Sequence, residues 1–188
     1  LIADAKRRGL AVTAEVTPHH LLLCDEDIPL CAGEPDPNWK MNPPLRSRAD
    51  MLALRRALAE GVIDVIATDH APHRPEEKQR SWAQAPFGVI GLETSLAACY
   101  SLVRDGTITS AQLFTAMGVR PWNLLPRWAH SRYDSITLID PHAAWTVDPE
   151  RFFSKSRNTP FAGRTFRGKA IYTIARGRLA MADGEVLF

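Results

Sequence analysis

The sequence predicts an α/β fold in which strands and helices alternate, followed by a smaller β-rich region at the chain end. Apolar, β-branched stretches at residues 10–16 and 62–68 are typical of strands buried in a parallel sheet. A helical pattern lies between them, which favours βα units. From about residue 135 onward, short apolar runs are separated by turn residues instead of helices, which indicates the β-rich region.

The first units can be placed from their start and stop signals. Residues 1–9 predict the end of a helix, with basic residues in its last turn and Gly9 after it. The first strand is expected over residues 10–16. Ser47 begins a capping box, Ser-Arg-Ala-Asp, that opens a second helix, and Gly61 ends it.

The rest of the chain contains long loops, two further helices and short strands. Loops over residues 24–44 and 70–91 flank the second helix–strand unit, and loops of this length are uncommon unless they are functional or disordered. The remaining elements are expected at about residues 92–104 and 110–118 for the helices and 135–141, 170–174 and 178–182 for the strands. We therefore predict an α/β part over residues 1–130 and a β-rich subdomain over residues 131–188.

The bulk composition excludes several classes of protein. The chain has 188 residues, 45% of them hydrophobic, and a formal net charge of +2 with scattered Lys and Arg, so we expect no nucleic-acid partner. The sequence contains no run of about 18 apolar residues, so it predicts no membrane span. Its 3 cysteines match no metal spacing and predict free thiols in the cytoplasm. Because the chain begins within a helical pattern, we expect it to be the carboxy-terminal piece of a longer protein.

Asp69 is the first candidate for chemistry. It follows the apolar run at residues 62–68, and a carboxylate at the end of a buried strand is costly unless it is paired or binds a metal. Active sites of α/β enzymes lie at this end of their strands. Asp69 is therefore either a metal ligand that also passes a proton or, equally on this pattern alone, a helix N-cap or a structural ion pair.

The other candidates lie in the two long loops. His73 follows Asp69 by four residues, with a solvated surface histidine as the alternative. Asn42 lies before two prolines, where its amide suits a ring with imide-like edges, although an ordinary turn asparagine fits as well. Phe87 and Gly88 could let backbone approach a ligand closely, or form a simple turn. We expect no metal ligation by the pair His19-His20.

Four motifs together resemble dihydroorotases of the bacterial type, within the amidohydrolase superfamily. They stand in family order and span most of the chain, with a further match at Asn158-Thr159-Pro160-Phe161. The four motifs are Thr13-Ala14-Glu15-Val16-Thr17-Pro18-His19-His20-Leu21, Lys40-Met41-Asn42-Pro43-Pro44-Leu45-Arg46, Ala67-Thr68-Asp69-His70-Ala71-Pro72-His73 and Ala85-Pro86-Phe87-Gly88.

The resemblance implies a fold and a reaction. The family fold is a metal-dependent (β/α)₈ TIM barrel with a flanking β subdomain, and residues 10–17 and 62–69 would be its seventh and eighth strands. Family members hydrolyse the cyclic amide of dihydroorotate reversibly to N-carbamoyl-L-aspartate, in the pyrimidine pathway that leads to UMP. A zinc centre, usually binuclear, activates the water. The implied partners are this small-molecule substrate, with a homodimer and aspartate transcarbamoylase as candidate protein partners.

Residue by residue, the resemblance makes Asp69 a zinc ligand and general base. Asn42, His73, Phe87 and Gly88 fall at substrate-binding positions. The family's other zinc ligands would precede Leu1, so the chain by itself is expected to hold no zinc pair and to be inactive. Two alternatives remain open: an allantoinase- or hydantoinase-type cyclic amidohydrolase, and a non-catalytic dihydroorotase-like scaffold subunit of aspartate transcarbamoylase.

Overall fold

A computed structural model describes residues 1–125 and 135–187 of the chain. Its α-helices are α1 (Ile2–Arg7), α2 (Pro18–Leu22), α3 (Arg48–Ala59), α4 (Pro75–Lys78), α5 (Ser95–Arg104), α6 (Ser110–Phe114) and α7 (Arg120–Leu124). Its strands are β1 (Glu15–Val16), β2 (Leu30–Cys31), β3 (Glu34–Pro35), β4 (Val65–Ile66), β5 (Ser135–Thr146), β6 (Thr165–Ala175), β7 (Arg178–Ala182) and β8 (Glu185–Val186).

The α/β part is built on one parallel strand pair. β1 pairs with β4 in parallel, with Glu15 opposite Val65 and Val16 opposite Ile66. Both strands are much shorter than the predicted stretches of residues 10–16 and 62–68. Among the described residues each strand pairs with one neighbour, and the rest of each stretch lies outside the β1–β4 ladder. The predicted α/β organisation is therefore present only in part.

Two of the helices begin at the caps predicted for them, whereas α2 and α4 lie where no helix was predicted, and α5 begins at Ser95, three residues later than expected. The Ser47 hydroxyl accepts a hydrogen bond from the backbone N–H of Asp50, so it caps α3 as predicted. Thr109 caps α6 in the same way, with Gln112 bonding back. The helix expected over residues 110–118 is interrupted, because α6 passes into a π-helical turn at Thr115–Val119 before α7 begins.

The chain end forms a four-stranded antiparallel sheet with the order β5-β6-β7-β8. β7 matches its predicted bounds, whereas β5 and β6 are longer than predicted because they pair with each other along most of their length. Gly177 lies at the β6–β7 turn with a φ of 72°, the left-handed region that glycine adopts readily. The predicted boundary between residues 130 and 131 lies outside the described residues.

Two apolar clusters hold these elements together. The first lies around β1 and β4 and includes Leu102 of α5 and Leu113 of α6, both fully buried. The second joins the loops of the α/β part to the chain end, since Phe161 and Phe166 pack in it with Met41. The β-rich sheet is thus attached to the same core that supports the loops after β1 and β4.

A partly buried carboxylate fixes the start of β4. Asp64 accepts hydrogen bonds from Lys6 Nζ at 2.6 Å, from the Ala14 backbone N–H at 2.9 Å and from Arg120 at 2.9 Å. Burial by itself would raise the pKa of Asp64, but these hydrogen bonds and the two cations outweigh it and hold the pKa below its ordinary value. Asp64 therefore ties α1 and α7 to the amino end of β4.

None of the helices described here combines the length and apolar composition that crossing a bilayer requires.

Candidate functional site

Asp69 lies just beyond the carboxyl end of β4. Its side chain is exposed, and its backbone has a φ of 49°. A non-glycine residue in this left-handed region is uncommon, and such strain is concentrated at functional sites. Within the described part of the chain, the Asp69 carboxylate forms no hydrogen bond and no ion pair, which argues against the structural ion pair considered above. No group of the described residues competes with a ligand for this carboxylate.

The loop after Asp69 folds back on itself instead of extending into solvent. His70 forms a parallel bridge with Val89, and the Ala71 N–H donates to the Val89 carbonyl at 3.0 Å. His70 Nδ1 accepts from the Gly91 N–H at 3.2 Å. The two ends of the loop at residues 70–91 are therefore joined, and His70 supports the loop.

His73 and Phe87 are in direct contact. His73 Nε2 donates a hydrogen bond to the Phe87 carbonyl at 2.8 Å, and His73 Nδ1 faces the Glu77 carboxylate at 3.6 Å. The Phe87 ring is 55% exposed, so it is available to a ligand. The structure therefore brings together two of the predicted substrate-binding residues, with both imidazole nitrogens of His73 directed at groups of this chain.

Gly88 lies in a position that only glycine can occupy without rearrangement. Its φ is +128°, and a Cβ there would stand 2.6 Å from Ala71 Cβ and 3.0 Å from His73 Nε2. Both distances are well below ordinary contact. Glycine at this position therefore allows close backbone packing between the two sides of the loop. The approach of a ligand to the Phe87-Gly88 backbone stays a prediction.

Asn42 is connected to the same cluster through its own segment. The Gly88 N–H donates to the Lys40 carbonyl at 2.9 Å, two residues before Asn42. The Asn42 side chain is exposed and forms no hydrogen bond within the described residues, and the Asn42–Pro43 peptide bond is cis. His20 Nε2 donates to the Pro43 carbonyl at 2.9 Å, and His20 Nδ1 accepts from Thr17 Oγ1. His20 thus supports the Asn42 loop.

Two buried lysines hold the loop from beneath. Lys40 Nζ donates to the carbonyls of Trp82, Ala83 and Ala85 at 2.7, 3.2 and 2.6 Å, and it lies 4.5 Å from the centre of the Phe87 ring. Lysine is almost never fully buried unless its charge is satisfied. Here three carbonyl oxygens supply that satisfaction.

Lys78 has a similar environment. Its Nζ donates to the carbonyls of Pro37, Lys40 and Pro86 at 2.8, 3.3 and 3.0 Å. Burial, followed by repulsion from the nearby Lys40 ammonium, lowers the pKa of Lys78 to about 8. Neither lysine stands out in the sequence, apart from the place of Lys40 in the motif that contains Asn42.

His19 is buried at 2% exposure, and its Nε2 has no hydrogen-bond partner among the described residues. Burial, followed by the neighbouring His20, lowers the pKa of His19 to about 3, so the imidazole is neutral at physiological pH. Across residues 1–125 and 135–187, no three His, Cys, Asp or Glu side chains lie together as a metal site would require. Asp69 is thus one donor without companions in the described chain.

Comparisons with known proteins agree with the motifs. The chain is 47% identical to the dihydroorotase of Geobacillus sp. over 98% of its length, and 48% identical to that of Halalkalibacterium halodurans over 99%. It spans only 44% of the length of each of these relatives. No family model matches the chain.

Solved structures with a similar fold include hydantoinases. The L-hydantoinase (dihydropyrimidinase) of Arthrobacter aurescens superposes with a TM-score of 0.86 at 28% identity, covering 100% of this chain and 43% of that protein. An inactive dihydroorotase-like domain from a CAD-like multifunctional protein of Chaetomium thermophilum gives 0.72 at 22% identity, over 99% of this chain and 48% of that one. At that identity the likeness concerns the fold alone. The resemblance to dihydroorotases predicted from the four motifs is therefore confirmed along nearly the whole of this chain, over a stretch equal to 44% of its curated relatives.

Proposed function

We propose that this chain forms part of the active site of a dihydroorotase, which interconverts dihydroorotate and N-carbamoyl-L-aspartate in pyrimidine biosynthesis. The observation that carries the proposal is the convergence of three separate segments beside the end of β4. Gly88 bonds to Lys40 and His73 bonds to Phe87, while Asp69, between β4 and His70, has an unpartnered carboxylate among the described residues. The 47% identity to a curated dihydroorotase supports the same assignment.

In this proposal, Asp69 handles the proton of the attacking water. An exposed, unpartnered carboxylate can accept a proton as the water attacks the cyclic amide and return it to the departing nitrogen. The Asn42 amide and the backbone at Phe87 and Gly88 would meet the edges of the ring. Before substrate binds, His73 holds Phe87 in place through its hydrogen bond to the Phe87 carbonyl. When substrate binds, the imidazole would leave that carbonyl to contact the substrate carboxylate.

The described residues do not fit a zinc centre on their own. A catalytic zinc takes about three protein ligands and a water, whereas Asp69 is a single carboxylate. The binuclear zinc centre implied by the resemblance therefore needs donors from outside the described residues. We propose Asp69 as the one ligand that this chain contributes.

We further propose that β1 and β4 are adjacent strands of a (β/α)₈ barrel. The support is the TM-score of 0.86 to a hydantoinase and the parallel register of the pair. In such a barrel, side chains at the carboxyl ends of the strands face the active site, which suits the place of Asp69. The division into residues 1–130 and 131–188, the homodimer, the aspartate transcarbamoylase partner and the cytoplasmic location remain proposals of the same kind.

A hydantoinase-type activity is the second candidate, because the Arthrobacter L-hydantoinase matches this chain throughout. Comparing kcat/KM on dihydroorotate, hydantoin and allantoin separates the two candidates in the protein expressed at its natural length. We expect dihydroorotate to be preferred. A preference for hydantoin or allantoin would support the second candidate, and no turnover of any of the three by folded protein would support a scaffold role.

The role of Asp69 is tested by Asp69→Asn, which keeps the shape of the side chain and removes its basicity. A positioned acid or base contributes a factor of about 10² to 10⁴ to the reaction rate. We therefore expect kcat for dihydroorotate to fall at least about 100-fold. Asp183→Asn is the matched control, since Asp183 is also exposed and has a φ of 51° in the turn after β7. Retention of most of kcat by Asp69→Asn would exclude the proposed role.

A further inference from the structure

Asn158 connects the two sides of the loop that carries the proposed substrate contacts. Its side chain is only 3% exposed. Its Nδ2 donates to the Ala71 carbonyl and to the Gly88 carbonyl, both at 3.0 Å, and its Oδ1 accepts from the His73 backbone N–H at 3.3 Å. The Asn158 backbone carbonyl also accepts from the Ile90 N–H at 2.9 Å. All four of these hydrogen bonds go to the segments around His73 and Gly88.

The chemistry of the site suits asparagine better than its close relatives. A primary amide offers two donors and an acceptor in one plane, which matches two carbonyls and one N–H. An ionised aspartate could accept from the His73 N–H but would face the carbonyls of Ala71 and Gly88 without a donor. Glutamine is longer by one methylene, which a buried site with three fixed partners accommodates poorly.

The spacing that Asn158 spans is tightly defined. Gly88 packs so closely against Ala71 that a single added carbon would stand 2.6 Å from the Ala71 methyl group. Asn158 itself is held from the other side, because Phe161 lies three residues later in the second apolar cluster at 2% exposure. Through its hydrogen bonds, Asn158 therefore ties the loop to the second apolar cluster.

We infer that Asn158 is a positioning residue for the reaction proposed above. It touches no reacting atom and acts through His73 and Gly88, whose relative placement it fixes. The inference rests on the proposed function, since it assigns these two residues to the substrate. Loss of Asn158 weakens substrate binding by freeing both segments, while the proton transfer at Asp69 is largely retained.

The test compares Asn158→Ala, Asn158→Asp and the control Asn123→Ala, made in the protein at its natural length. Asn123 is exposed on α7 and its side chain bonds to no described residue. Amide hydrogen exchange is measured at Ala71, at His73 and at residues 87–90, with α5 as the internal reference for global folding. Kinetics with dihydroorotate are measured in parallel.

For Asn158→Ala we expect exchange in both segments to rise at least tenfold over the control, with α5 unchanged. KM should rise about tenfold while kcat falls less than threefold. Asn158→Asp should retain protection at the His73 amide, where its carboxylate still accepts, and lose it around Gly88. If Asn158→Ala does not fold, the Asn158→Asp pattern decides by itself.

Exchange within twofold of the control would overturn the inference, as would a tenfold rise in exchange that leaves KM unchanged, since the residue would then be merely structural. A parent protein that fails to hydrolyse dihydroorotate defeats the proposed function and, with it, the positioning role in that reaction. The exchange pattern would still show whether Asn158 holds the two segments together.

Discussion

Replacing Lys40 with methionine removes the buried ammonium under the loop while keeping a flexible apolar side chain of similar length. Three carbonyl oxygens, those of Trp82, Ala83 and Ala85, then lose their donor. The Phe87 ring loses a cation at 4.5 Å from its centre. Lys40→Met should therefore destabilise the protein and loosen the segment that contains Phe87.

The magnitude follows from opposing contributions. A hydrogen bond to a charged group contributes about 1.5–3 kcal/mol, so three of them give roughly 4–9 kcal/mol before the cost of burying the ammonium. That desolvation cost is several kcal/mol, and the cation–π contact adds about 0.5–1 kcal/mol. Removing the cation also leaves the Ala85 carbonyl buried without a partner. We expect a net loss of about 3 kcal/mol, because each buried carbonyl that loses its donor costs about 1–3 kcal/mol, and the desolvation cost that the ammonium no longer incurs offsets part of this loss.

The assay is urea unfolding at neutral pH followed by circular dichroism, comparing Lys40→Met with Lys155→Met. Lys155 is exposed and bonds to no described residue, so its substitution should change the free energy of unfolding by no more than about 0.5 kcal/mol. A loss below about 1 kcal/mol for Lys40→Met would show that its three hydrogen bonds merely offset the burial of the charge, and the reasoning above would be wrong.

Three other outcomes follow from the same loop and from the metal site. Gly88→Ala should cost about 2–4 kcal/mol, because it combines strain at a φ of +128° with overlap against Ala71, whereas Gly106→Ala, with open space around it, should cost only the strain. The pKa of Lys78 is lowered to about 8, so between about pH 8 and pH 10.5 the unfolded chain binds more protons than the folded one. Stability in urea should therefore rise across this window relative to Lys78→Met; a flat difference would contradict the assigned pKa. The 188-residue chain purified alone should bind well under one equivalent of zinc by elemental analysis and should not turn over dihydroorotate, and stoichiometric tight zinc would contradict the single-donor assignment of Asp69.

Signals in the sequence predicted the elements that depend on contacts between residues close together in the chain. Ser47 caps α3 because a hydroxyl before a helix satisfies a free backbone N–H, whatever the surroundings. β7 has its predicted bounds because its partners, β6 before it and β8 after it, each lie within a few residues along the chain. The stretches at residues 10–16 and 62–68 were overestimated as strands, because a ladder depends on neighbours that are distant in sequence and hydropathy does not reveal them.

The site was predicted through its motifs, and its supports were not. Asp69, His73, Phe87 and Gly88 stood out by residue type and spacing, and the structure joins the last three; their roles remain predictions. Lys40, Lys78 and Asn158 bond to backbone carbonyls. Because every residue has a backbone carbonyl, the sequence does not reveal which of them a side chain will bond. Two of the three residues are lysines, which composition alone assigns to the surface. Asn158 was marked in the sequence only as the first residue of the motif Asn158-Thr159-Pro160-Phe161.

The carboxylate of Asp64 has a consequence for the accuracy of the site. Sliding β4 by one residue past β1 would carry Asp69 about 3.3 Å along the strand axis and reverse which face each side chain meets. Such a slip would move Asp64 away from Lys6 of α1 and Arg120 of α7, which both form ion pairs with it. The ion pairs of Asp64 at the amino end of β4 therefore oppose sliding of the strand along its axis. In this way they fix the position of the proposed catalytic carboxylate of Asp69, beyond the carboxyl end of the same strand.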